Sequence, residues 1–230
     1  MEIAMQKNLL PRFEMESAPS PTAAVILLHG LGANGHDFAG LVPELDLKGC
    51  QGIRFVFPHA PSIAVTVNAG YVMPAWYNIR GTHLVSDQDA AGIEHSERSV
   101  RALIAHEMTR GIAAENIVLA GFSQGAAMAL HIALRLPMRL AGIIALSGYL
   151  PLADRLDRER SLANDATPIF LAHGVHDTVV VPRRGEETRD ALQALGYQVE
   201  WHGYETEHNV IPEEIEDMAA FLRRVLAAAK

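Results

Sequence analysis

The sequence predicts an α/β fold: a mostly parallel central sheet with helices on both faces. Three observations carry this. Short, continuous apolar runs recur at residues 23–28, 53–57, 117–120, 141–146 and 167–172, and a strand that is apolar throughout is one buried on both faces, as strands of parallel sheets are. Stretches of helical character stand between them and supply the crossovers that parallel strands require. The composition does not shift anywhere along the 230 residues, 49% of which are hydrophobic, so the chain is expected to be one domain with a full core.

Taken in order, residues 9–15 read as a first edge strand interrupted by Pro11, and Ala18-Pro19-Ser20-Pro21 as a stiff connector. Strand 23–28 enters the loop His29-Gly30-Leu31-Gly32-Ala33-Asn34-Gly35, and a short helix follows at 38–45, limited by Pro43. Strand 53–57 ends at Pro58-His59-Ala60-Pro61, and 62–86 read as irregular, with a hairpin leading to Met73-Pro74-Ala75-Trp76-Tyr77. A helix is expected over 87–110, with Asp87 or Asp89 near its start and Gly111 closing it. After strand 117–120 a helix runs from the following turn to about residue 136, ahead of Pro137. Strand 141–146 leads to a short charged surface helix near 154–160, then come strand 167–172, helix 183–195 ended by Gly196, strand 197–201 and an amphipathic helix at 212–228. The segment 147–166 is too little chain for a cap domain with its own apolar underside, so an open groove walled by short loops is expected.

Composition excludes several function classes. A net charge of −8 with no basic tract argues against a nucleic-acid surface. Cys50 is the only cysteine, which rules out an internal disulfide framework and fits a reducing compartment. The segment Met1-Glu2-Ile3-Ala4-Met5-Gln6-Lys7 lacks a basic region followed by an apolar core, so no signal peptide is expected. No apolar run approaches the roughly 20 residues of a membrane span. The expectation is a soluble, cytoplasmic protein without stable membrane insertion.

Chemistry concentrates at 116–127. The apolar strand 117–120 runs into Gly121-Phe122-Ser123-Gln124-Gly125, which fits the G-x-S-x-G nucleophile elbow, and a small-residue helix follows. A serine raised on a sharp strand-to-helix turn crowds the residues two before and two after it, and glycine at both places relieves that crowding. The plain reading, a serine that merely caps a helix, leaves the rest of the chain unexplained. Ser123 requires a base, and the base an orienting carboxylate. In a parallel sheet, catalytic groups gather beyond the carboxyl ends of the strands. Asp177 follows strand 167–172 at that end, whereas Asp165 precedes it and Asp190 lies mid-helix. Of eleven histidines only His202 and His208 follow Asp177; His202 falls at a strand end and His208 in the last loop. The order Ser123, Asp177, His208 is the one this sheet type requires. The oxyanion donors are expected to be the backbone N–H groups of Gln124 and of Leu31, in the glycine loop after strand 23–28. His29 is expected to brace that loop by hydrogen bonds.

Rival motifs carry less. Gly30-Leu31-Gly32-Ala33-Asn34-Gly35 is a literal G-x-G-x-x-G, but the next strand ends without the acidic residue that would hold a ribose. His173, His176 and Asp177 resemble a metal cluster but lack a further ligand set at suitable spacing, so no metal is expected. Trp76 and Tyr77 read equally as core aromatics or as the wall of an acyl groove; Trp76 and Val179 are the substrate-binding candidates. His36, His59, His83, His95, His106 and His131 read as surface or packing residues.

With these residues assembled, the chain resembles the carboxylesterase and acyl-protein thioesterase family of α/β-hydrolases. The resemblance runs through 29–38, 58–61, 73–78, 121–128, 173–180 and 204–210 into 212–222. It implies an α/β-hydrolase fold and hydrolysis of small-molecule carboxylic esters, often short to medium acyl or aryl esters. In some members it implies thioesters of acylated proteins or lysophospholipids. It implies no cofactor, and frequently a homodimer. Similar proteins often carry glycine where Ala126 stands, proline where Thr178 stands, and Met-Gly where Thr206-Glu207 stands. Glu207 is expected to make the mouth of the site more acidic beside His208. A silent relative that only binds ligands is the reading from another class, and an intact triad weighs against it.

Overall fold

The computed structural model describes residues 9–81, 84 and 86–227. The sequence-based expectations for residues 1–7 and for His83 fall outside them. In chain order the strands are β1 (Arg12–Glu16), β2 (Ala23–Leu28), β3 (Ile53–Pro58), β4 (Ser62–Val65) and β5 (Tyr71–Pro74). They continue with β6 (Ile117–Phe122), β7 (Gly142–Leu146), β8 (Ile169–Gly174) and β9 (Val199–Tyr204). The α-helices are α1 (Ala90–Thr109), α2 (Gln124–Ala133), α3 (Ala153–Glu159), α4 (Pro182–Ala194) and α5 (Pro212–Val225).

Seven strands form the main sheet in the order β1-β3-β2-β6-β7-β8-β9, all parallel except β1, which runs antiparallel to β3. Alternate residues of each strand feed opposite faces. Ala24, Ile26, Leu28, Ile117 and Leu119 pack under helices α1 and α2, while Ala23, Val25, Leu27, Val118 and Ala120 share the other face with Met218, Phe221 and Leu222 of α5. Each of those large side chains contributes roughly 1.5–3 kcal/mol by leaving water. Helix α5 also carries Glu213 in its first turn and Arg223 and Arg224 in its last, matching the helix dipole at both ends.

Several boundaries differ from expectation for identifiable reasons. Strand β1 starts after Pro11, which has no N–H for a ladder. Helix α1 starts at Ala90 because Asp89 is its N-cap, accepting the Gly92 N–H at 3.2 Å; Asp87 lies before it with φ +55°. Helix α2 stops at Ala133 because the ring of Pro137 excludes a further turn onto that carbonyl. Strand β9 extends to Tyr204, so His202 lies inside a strand. The hairpin expected within 62–86 is present as β4–β5, and between β7 and β8 stand only α3 and a short 3-10 turn, Leu162–Asn164. Among the described residues no separate cap domain covers the sheet.

Register places the site. Leu28 pairs with Gly121 across β2–β6, Phe122 with Leu146 across β6–β7, and Gly174 with Tyr204 across β8–β9. The loops that leave β2, β6, β8 and β9 therefore emerge at one edge, around the point where the chain's connections depart on either side of β2 and β6, the crevice that such sheets use for ligands.

Candidate active site

The elbow is built as its glycines require. Ser123 sits between β6 and α2 with φ +55° and ψ −116°, a conformation that costs roughly 1–3 kcal/mol and persists only where the surroundings hold it. They do: the Ser123 N–H donates to Leu146 O at 2.8 Å, and Ser123 O accepts from Ala127 N at 3.1 Å. A Cβ on Gly121 would lie 2.2 Å from the Gly125 backbone, and one on Gly125 would lie 2.0 Å from Leu28 O. Only glycine fits at either place. Ala126, in the position where a glycine is common in similar proteins, packs against Gly148, where a Cβ would come within 2.5 Å of it.

Asp177 and His208 come from loops after β8 and β9. Asp177 is buried; its Oδ1 accepts the N–H groups of Val179 (2.8 Å) and Val180 (2.9 Å), and its Oδ2 lies 2.6 Å from His208 Nδ1. With both oxygens in use, the carboxylate cannot turn, and His208 must present Nδ1–H to it and keep Nε2 as the free lone pair. The His208 ring lies 4.7 Å from that of Phe122, next to Ser123. Ser123, His208, Leu31 and Val179 line one groove of about 540 Å³. Ser123 is 9% exposed, reachable only from that groove. Val179 is exposed at its rim.

The glycine loop is drawn against the serine: a Cβ on Gly30 would touch the Ser123 Cβ at 3.4 Å. His29 braces this loop. Its Nε2 accepts the Ala60 N–H at 3.0 Å, so Nδ1 carries the proton and donates to Gly30 O at 2.7 Å. Burial holds the His29 pKa below its ordinary value and keeps that neutral tautomer. Because a trans peptide points its C=O and N–H in opposite directions, holding the Gly30 carbonyl fixes the direction of the Leu31 N–H. Gly32 N donates to Pro74 O at 2.8 Å and ties the loop to the end of β5. The G-x-G-x-x-G run leads into turns and a 3-10 helix, Ala39–Glu44, so it lacks the α-helix N-terminus that a dinucleotide pyrophosphate needs.

Trp76 corrects an expectation. It is 2% exposed, its ring centroid 5.2 Å from that of His29 at a tilted angle of 40°, with Nε1 donating to His29 O at 2.8 Å. An indole so enclosed is a structural pin and not a groove wall. Sequence reasoning also missed the Gln124 side chain. Buried, it pairs with a backbone it does not belong to: Oε1 accepts the Trp76 N–H and Nε2 donates to Tyr77 O, both at 2.8 Å. Below it, Tyr77 and Tyr149 join hydroxyls at 2.7 Å, and burial pushes the Tyr149 phenol up to about 12.

The remaining candidates are apart. His202 bonds Glu200 at 3.0 Å and stacks on Phe170, away from Ser123's groove. His173 donates from Nε2 to Val180 O at 2.7 Å, with burial depressing its pKa, and His176 meets Glu205 at 2.9 Å on the surface. Glu207 is exposed and does not line the groove; its contribution there is a backbone carbonyl packed so closely on Gly174 that a Cβ would lie 2.2 Å away.

Comparison with known proteins places this arrangement. The profile of the Phospholipase/Carboxylesterase family matches residues 13–226. Acyl-protein thioesterase 1 of Gibberella zeae is 38% identical over 219 residues, covering 91% of this chain and 93% of that protein. Acyl-protein thioesterase 1 of Neurospora crassa is 41% identical over 210 residues, covering 87% and 86%. The crystal structure of Arabidopsis thaliana SOBER1 superposes with a TM-score of 0.84 at 27% identity, covering 89% of this chain and 99% of that one. By this match over most of its length, the chain belongs to the phospholipase/carboxylesterase family of α/β-hydrolases.

Proposed function

We propose that the protein hydrolyses carboxylic esters and thioesters of short to medium acyl groups through an acyl-enzyme on Ser123. The observation that carries this is the Asp177–His208 pair at 2.6 Å, opening with Ser123 onto one groove. His208 Nε2 takes the Ser123 proton as Oγ attacks the carbonyl carbon. Asp177 keeps Nδ1–H in place and stabilises the imidazolium. The N–H groups of Leu31 and Gln124 receive the oxyanion; the latter is a first-turn amide of α2 with no helical acceptor of its own. The tetrahedral species collapses as His208 delivers its proton to the leaving oxygen or sulfur, and water repeats the sequence on the acyl-enzyme. No step calls for a cofactor.

The thioester arm has support of its own: both curated relatives compared above are named acyl-protein thioesterase 1. A homodimer is also proposed, and sedimentation of the purified chain tests it. The reaction is tested with nitrophenyl esters and matched thioesters of graded chain length. The reading expects saturable turnover, with a burst of nitrophenol equal to the enzyme present. A protein that binds these compounds without cleaving any of them is the silent relative instead.

A further inference from the structure

The groove beside Ser123 has an apolar wall next to the base. The Phe122 ring lies 4.7 Å from that of His208 and 5.5 Å from that of Phe38, and Leu41, Val210 and Ile215 of the same apolar cluster line the groove with them. Asp37 and Glu44, both exposed, line it as well, and no lysine or arginine is among its lining residues. His208 must hand the proton it took from Ser123 to the departing heteroatom, so the leaving group departs where His208 stands. A trough that begins at His208 and continues along Phe122 to Phe38 therefore faces the alcohol or thiol half of the substrate. The whole groove, about 540 Å³, has room for such a group.

We infer that this trough is the leaving-group subsite, and that it takes alcohols or thiols that are apolar next to the scissile bond and cationic at their far end. The inference rests on the serine-hydrolase reading above and adds to it which half of the substrate is selected, and by what. The apolar walls desolvate the first atoms of the leaving group and favour carbon over polar groups there. Asp37, next to Phe38 in the chain, and Glu44, at the end of the 3-10 helix that follows, are two carboxylates with no basic residue in the lining; they set a negative potential, and the chain's net charge of −8 has the same sign. An ammonium or guanidinium near them is attracted, and a phosphate or sulfonate is repelled. Because both carboxylates are exposed, the selection is partly screened and salt-sensitive.

Three thioesters sharing a butyryl group test this on the full chain. Their leaving groups are thiocholine, 3,3-dimethylbutanethiol of the same shape without charge, and 2-mercaptoethanesulfonate. In each reaction water cleaves the C–S bond, the acyl group leaves as the acid, and a thiol reagent reports the free thiol. The expected order of kcat/KM at low salt is cation, neutral, anion, with a cation-to-anion ratio of about tenfold or more that shrinks toward one at high salt. The same ratio is expected to collapse in the Asp37→Asn/Glu44→Gln double variant. Ile215→Ser is expected to lower kcat/KM for the dimethylbutyl thioester more than for the ethyl thioester, leaving preference for acyl length as it was. A ratio near one in the wild type, a ratio unmoved by the double variant, or an Ile215→Ser effect that falls on acyl length would each overturn the inference while leaving the hydrolase reading intact. Absence of any turnover, even of the neutral thioester, would overturn the hydrolase reading and this inference with it.

Discussion

Asp177 carries the heaviest hydrogen-bond duty of any side chain at the site. Its Oδ1 takes two backbone amides and its Oδ2 takes His208. In Asp177→Asn the oxygen stays with the amides, so the new NH₂ faces His208 Nδ1 and turns it into an acceptor. The ring then carries its proton on Nε2 and cannot serve as a base. A fall in kcat of roughly 10⁴ is expected, with thermal stability nearly unchanged. His208→Ala is expected to be similarly damaging and His202→Ala mild; steady-state kinetics on one nitrophenyl ester check all three. If His202→Ala proved the worse of the two, the base would be His202. At this scale the sequence was informative because chain order and strand ends leave few choices: Asp165 is at the wrong end of its strand and Asp190 is in α4. Trp76 was not legible. A tryptophan in a loop without periodicity gives no sign of which way it faces, and only the distant His29 carbonyl shows it turned inward.

The elbow and the glycine loop are separate elements, and the proposed mechanism takes one oxyanion donor from each. What joins them is the Gln124 carboxamide. It grips the backbone of Trp76 and Tyr77, Trp76 grips His29, and Pro74 O holds Gly32. Removing the carboxamide in Gln124→Ala strands a buried N–H and a buried C=O, at a cost of about 1–3 kcal/mol for each. It also frees the Leu31 amide to drift from the Gln124 amide. The expected result is a kcat lower by about 10²-fold or less, with KM changed far less, since the loss falls on the transition state. Gln124→Glu keeps the acceptor for Trp76 N–H but sets a carboxylate against Tyr77 O, and kcat is expected to fall likewise. Unchanged kcat in both variants would mean that the two donors are held independently. The elbow itself was readable because glycine two before and two after a serine, between an apolar run and a helix, has a steric cause. The Gln124 side-chain role was not, because its partners lie 48 and 47 residues away and tertiary contact leaves no local pattern.

Two consequences belong to the whole molecule. Glu214 is 1% exposed at the start of α5, and burial raises its pKa from 4.5 to about 8, opposed by a hydrogen bond from the Ile211 N–H. One of its carboxyl oxygens has no hydrogen-bond partner among the described residues. A carboxyl whose pKa is raised on folding stabilises the fold fully below its unfolded value, and that stability is lost as pH rises through the folded value. The protein is therefore expected to lose on the order of a few kcal/mol between about pH 4.5 and pH 8 through this group. Glu214→Gln keeps the acceptor for Ile211 and cannot ionise. Its Tm is expected to decline less steeply over that window, and equal slopes would show that Glu214 is not the group responsible. The open groove is the second consequence. With only α3 and a 3-10 turn between β7 and β8, that segment holds no lid to open at a lipid surface. Hydrolysis of a dispersed ester is expected to saturate smoothly through the concentration where micelles form, and a sharp rise there would contradict the open site. Fold class was legible at this scale because apolar runs in a parallel sheet are unmistakable. The exact ends of β9 and α2 were set by pairing and by Pro137 instead.

The central claim is that Ser123 is the nucleophile, and intact mass after reaction with a fluorophosphonate tests it most directly. The account predicts one adduct per chain, located on the peptide containing Ser123, with hydrolysis lost in step. In Ser123→Ala it predicts neither adduct nor turnover, at unchanged Tm. An adduct on another residue, or ester hydrolysis by Ser123→Ala within about tenfold of the wild type, would contradict it.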